Sequence, residues 1–134
     1  MKLKTGLYDK NDVMKSYLRV GSFNCQGIVG KMDDPVFLND ISKYDIFGVC
    51  ETWLNKGNDA LNIPNYKFYP LSRSNERERG QPRGGVGWFI RESLRRYIKV
   101  LYDISNENMF FCKLDKDFFN FNEDVYVGII YIPP

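Results

Sequence analysis

The sequence predicts an α/β fold built on a mixed, largely antiparallel sheet with one covering helix. Three observations lead there: a strand, a helix and a second strand follow one another within residues 18–51, every later apolar run reads as a strand, and no long helix separates those runs. At 134 residues the chain has the size of one ordinary domain, and 43% hydrophobic with 16% aromatic residues is enough to bury one core. That composition excludes a wholly disordered chain.

Residues 1–17 are polar and show no apolar period, so they are expected to form an N-terminal extension ahead of a domain at 18–134. YLRVGSFN places Leu18, Val20 and Phe23 in an extended run that ends in the glycine-bearing NCQGIVG, which predicts a strand and then a loop. In MDDPVFLNDISKY, Asp34 is placed to cap a helix and Pro35 to take its first position, with Phe37, Leu38 and Ile41 on one face. YDIFGVCE is too uniformly apolar for a half-solvated strand, and strand, helix, strand predicts a buried parallel pair. YKFYPL and GGVGWFIRES are expected to pair as a hairpin across the charged loop SRSNERERGQPR. YIKVLYDI, MFFCKL and VYVGIIYIPP are the remaining strands. The helix covers one face of this sheet; the other needs a cover that these residues are not expected to supply.

A net charge of +2, from 19 basic and 17 acidic residues, is too mild to mark a nucleic-acid protein by itself. Cys25, Cys50 and Cys112 are odd in number and without CxxC spacing, and the sequence has no histidine to complete a zinc site. Reduced thiols in an intracellular protein, cytoplasmic or nuclear, are expected. MKLKTGLYDKNDVMKSY has no continuous apolar h-region, and no run approaches the ~18 apolar residues of a membrane span. Neither secretion nor membrane insertion is expected.

Two nucleotide-binding motifs fail on inspection. In GGVGWFI, Ile90 stands where a dinucleotide fingerprint needs a third small residue, and GKM at 30–32 lacks the upstream glycine and the Ser/Thr of a phosphate loop. Glu51 is the more informative residue, because it brings a carboxylate to the end of an apolar strand, where desolvation costs several kcal/mol unless a cation or strong donors compensate. With Asn24 it lies at the carboxyl ends of the two parallel strands, the place where α/β folds put their ligands. Taken singly, Glu51 is also a commonplace strand exit, Asn24 a routine turn residue and Tyr131 a packing residue.

Their joint order changes the reading. SFNCQGI, DIFGVCETWL, RGGVGWFIRESL and VYVGIIYIPP, in this order and at these separations, resemble the endonuclease/exonuclease/phosphatase superfamily, above all the apurinic-endonuclease-like domain of non-LTR retrotransposons. The resemblance covers residues 18–134 and implies the first half of a four-layer α/β sandwich, truncated before the second sheet. By the same resemblance Glu51 is the metal ligand, holding Mg2+ (or Mn2+) against the scissile phosphate of DNA. Asn24 helps to orient the metal and phosphate, and Tyr131 offers its hydroxyl to a phosphate oxygen. The chain departs from the family pattern at Gln26, where many members carry a second acidic residue, and at Pro134, where repair enzymes show asparagine.

The family's Asp-x-Asn and Ser-Asp-His segments have no counterpart here: Asp9-Lys10-Asn11 precedes the first motif, and there is no histidine. The expected function is therefore a partial metal-dependent phosphodiesterase, resembling a retrotransposon DNA-nicking endonuclease but inactive alone, with a downstream reverse transcriptase domain as a further partner. The alternative is a non-catalytic interaction or self-association module using the uncovered sheet face. The charged loop sets Arg73, Arg77, Arg79 and Arg83 against Glu76 and Glu78. It reads either as a solvated hairpin tip or as a contact to a phosphate backbone.

Overall fold

The computed structural model describes residues 17–55, 60–72 and 84–133. Among these described residues seven strands form two sheets: β1 (Val20–Asn24), β2 (Ile46–Cys50), β3 (Tyr66–Leu71) and β4 (Val86–Arg91) in the order β1-β2-β4-β3, and β5 (Ile98–Asn106), β6 (Met109–Leu114) and β7 (Val125–Ile130) in sequence order. β1 and β2 are parallel, with Asn24 opposite Cys50, and every other pairing is antiparallel. The mixed, largely antiparallel character and the parallel first pair are as the sequence predicts.

Helix α1 (Pro35–Ser42) starts where expected: the Asp34 side chain accepts a hydrogen bond from the Val36 amide, and Pro35 opens the first turn. Its Phe37 and Ile41 are buried against Phe47, Val49, Phe68 and Phe89, which fill the helix-facing side of the four-stranded sheet. The period-two alternation of β2 and β4 sends Ile46, Trp88 and Ile90 to the opposite side. There they meet Ile98, Phe110, Cys112, Leu114 and Ile129 of the three-stranded sheet. Trp88 Nε1 donates to the Phe110 carbonyl at 3.1 Å, tying the two sheets together through a residue only 2% exposed.

The described residues thus form an α/β sandwich with few helices, in three layers: helix, sheet, sheet. The second sheet corrects the expectation of one sheet with a bare face. β4 is flanked on both edges by β2 and β3, so the next strand has no edge of β4 to join. A 3-10 turn over Glu92–Tyr97, anchored by buried Leu94, carries the chain off to begin a new sheet. A second sheet therefore lies within the described residues, whereas the resemblance implies one only beyond Pro134. A four-residue helix, α2 (Lys116–Phe119), was also missed; its Asp115 side chain accepts from the Asp117 amide.

At the end of the first sheet where β2 begins, Asp45 is 1% exposed and receives the Arg19 amide at 2.9 Å, with the Arg19 and Arg91 guanidinium groups at 3.6 and 3.4 Å. Arg91 also donates to the Ser42 and Tyr44 carbonyls. This buried charge is compensated on several sides and locks β1, β2 and β4 in register. It lies at the opposite end of β2 from Glu51.

Candidate metal and phosphate site

Glu51 follows β2, Asn24 ends β1, and Tyr131 follows β7. The parallel ladder pairs Asn24 with Cys50, so Glu51 lies one residue beyond that pair at the same strand ends, and stacking of the two sheets brings β7 to the same end. Tyr131 there donates its hydroxyl to Glu51 Oε1 at 2.5 Å, joining residues eighty positions apart in sequence. Both side chains are half-buried. Asn24 reaches the same end but not this bond: its amide oxygen accepts from the Gln26 amide at 3.2 Å. An open groove of about 470 Å³ runs between the free edges of β1 and β7, with Asn24, Cys50 and Ile130 among its walls. Arg73, Arg77, Arg79 and Arg83 lie outside the described residues.

The backbone around Glu51 is strained. Of the eight described residues with positive φ, six are Gln26, Gly27, Glu51, Trp53, Gly84 and Gly85, all at this end of the first sheet. For non-glycine residues the left-handed region costs about 1 kcal/mol or more each. Flanking hydrogen bonds offset that cost. Gly27 and Ile28 donate their amides to the Glu51 and Thr52 carbonyls at 2.9 and 3.1 Å, while the Thr52 and Trp53 amides donate to the Gly85 and Gly84 carbonyls at 3.3 and 3.0 Å. The segment after β2 is therefore bonded on both sides, to the loop leaving β1 and to the glycines entering β4.

The electrostatics of the neighbouring thiols bear on which ion could bind. Burial, and then the nearby Glu51 charge, raise the Cys50 thiol above its ordinary value; burial, reinforced by Cys50, pushes Cys25 up to about 12. Both stay protonated at neutral pH and are poor ligands. Cys25 packs on the helix side of the sheet and Cys50 against the opposite core, so the two point apart. What remains at this end are oxygens, the Glu51 carboxyl and the Asn24 amide, and oxygen donors are the kind that suit a hard cation such as Mg2+. Among the described residues no three His, Cys, Asp or Glu side chains cluster around a possible ion. A site on Glu51 would thus have one protein carboxylate.

The sequence matches no model of a known protein family and no curated protein. Among the described residues no helix is long and apolar enough to cross a membrane. Sequence reasoning singled out Glu51, Asn24 and Tyr131 but overlooked Gly27, Thr52, Trp53, Gly84 and Gly85. The signal available for the last two was a glycine pair directly before a strand, which marks backbone that a side chain would obstruct.

Proposed function

We propose that the chain carries the cation- and phosphate-binding part of a Mg2+-dependent phosphodiesterase acting on DNA, related to the nicking endonucleases of non-LTR retrotransposons and working inside the cell. The observation that carries this reading is the Tyr131–Glu51 hydrogen bond. Two of the three residues that the family resemblance names are eighty positions apart in sequence, and folding brings them into direct contact. In this reading Glu51, with Asn24 at the end of the neighbouring strand, holds a divalent cation, which when bound would neutralise charge on the scissile phosphate. Tyr131 is placed to donate a hydrogen bond to a phosphate oxygen as charge develops there. In the structure that hydroxyl donates to Glu51.

These residues bind and orient, but they do not activate water. The sequence has no histidine to take a proton from a nucleophile, so the 134 residues by themselves are expected to leave DNA uncut. The test is a nicking assay on supercoiled plasmid with highly purified protein and 5 to 10 mM Mg2+ or Mn2+, roughly the concentrations that saturate a weak oxygen site. Background-level cutting is the expected result. Robust cutting that vanishes in Glu51→Ala would overturn the assignment of a binding role without a base.

A second reading, self-association, rests on a separate observation. The edge strands β3 and β5 carry Lys67, Pro70, Lys99 and Asp103, residues that discourage edge-to-edge pairing, whereas β1 and β7 carry neither charge nor proline. Ile130 of β7 is 63% exposed and Tyr126 57%. Under this reading purified protein is a dimer or larger, and Ile130→Lys shifts it toward monomer in light scattering. A monomeric wild type would rule it out.

A further inference from the structure

We infer that Gly27, Thr52 and Gly85 form a positioning device for the Glu51 carboxyl, a clamp that holds the segment after β2 in one strained conformation. The inference rests on the cation-binding reading of Glu51 and adds the residues that aim it. Glu51 and Trp53 have φ of 51° and 57°, where a glutamate and a tryptophan rarely sit, and between them Thr52 is only 1% exposed. Strain of this kind persists when the surroundings over-determine it.

The surroundings here are two glycines, one on each flank. At Gly85, with φ of 87°, a β-carbon would run into the Thr52 hydroxyl oxygen; at Gly27, with φ of 93°, it would stand 2.8 Å from Trp53 Cε3. Neither glycine can accept a side chain without displacing Thr52 or Trp53, the first and second residues after Glu51. Each also takes part in the backbone bonds that fix the segment: Gly27 donates to the Glu51 carbonyl, and the Gly85 carbonyl accepts from Thr52. Close approach and hydrogen bonding therefore act on the same three residues from both sides. A shift there moves the carboxyl away from the Tyr131 hydroxyl, which belongs to the other sheet.

Gly30 supplies the control. It follows the same β1 loop, yet a β-carbon there meets nothing within 4 Å. A mere loss of loop flexibility on replacing glycine would be felt at Gly30 as well; a clamp on Glu51 would not.

The test uses the full chain labelled with 13C at the glutamate side-chain carboxyl, with the Glu51 resonance assigned through Glu51→Gln, and Mn2+ binding followed by electron paramagnetic resonance. In Gly85→Ala and Gly27→Ala, each checked for a native near-ultraviolet circular dichroism spectrum, the Glu51 resonance should move toward its position in Tyr131→Phe. Mn2+ affinity should fall about tenfold or more, as when residues supporting a metal ligand are altered. Gly30→Ala should keep both signals. Should neither alanine variant fold, Thr52→Ala, which empties the space under Gly85 without adding bulk, must move the resonance in the same way. A folded Gly85→Ala or Gly27→Ala with the Glu51 resonance unmoved would overturn the clamp. If wild-type protein binds no Mn2+ through Glu51, the cation reading fails, and the resonance in the metal-free chain still decides the clamp.

Discussion

The Tyr131 hydroxyl and the Glu51 carboxyl depend on each other before any ligand arrives. A hydrogen bond of this type to a half-buried carboxyl contributes about 1–2 kcal/mol. Tyr131→Phe should lower unfolding free energy by that amount in urea titration, and a change below about 0.3 kcal/mol would mean that the bond is not formed in solution. The thiols make a separate prediction at this scale. Burial pushes both Cys25 and Cys112 up to about 12, against 9.0 for an unhindered thiol. Below pH 9 both folded and unfolded chains keep these protons, so the thiols leave stability unchanged. Above it the unfolded chain releases protons that the folded chain retains, which favours unfolding, so stability should fall between pH 9 and 12. The slope is at most about 1.4 kcal/mol per pH unit for each thiol. Cys112→Ala should flatten that decline, as equilibrium unfolding across the alkaline range would reveal; an unchanged slope would assign it to other groups.

Among the elements, β2 does most to connect sequence with site. Its apolar run was legible as a strand buried on both faces, and α1 was legible from Asp34, Pro35 and the spacing of Phe37 and Ile41. Pairing of β3 with β4 followed from two apolar strands around a charged loop. The division into two sheets was not legible, because no local pattern in YIKVLYDI or MFFCKL says which sheet a strand joins. That outcome is decided by β2 and β3 occupying both edges of β4. The sequence also showed which residues reach the strand ends, but not that β7 would be stacked so as to deliver Tyr131 to Glu51. Gly48 reports on this stacking directly: a β-carbon there would lie 2.6 Å from Ile129 Cγ1. Gly48→Ala should therefore destabilise the protein by about 1–3 kcal/mol through overpacking between the sheets. Thermal or chemical unfolding measures it, and a neutral effect would mean that the sheets are less closely packed than described.

At the scale of the molecule, a three-layer sandwich places its buried ionic cluster at one end of β2 and its strained turns at the other. Asp45 is compensated by two arginines and a backbone amide, so its charge is accounted for by structure alone. Glu51 instead bonds the Tyr131 hydroxyl and is itself left-handed, with five further positive-φ residues, Gln26, Gly27, Trp53, Gly84 and Gly85, at the same end of the sheet, a concentration of strain of the kind found at ligand sites. The unprotected edges of β1 and β7 border that same groove, so self-association and ligand binding would draw on neighbouring surfaces. Mn2+ titration of the wild-type protein and of Glu51→Gln, followed by electron paramagnetic resonance, separates a cation held by Glu51 from ions bound elsewhere. The wild type should bind weakly and Glu51→Gln should lose that binding while keeping the fold. Equal binding by both proteins would place the ion elsewhere and contradict the assignment of Glu51.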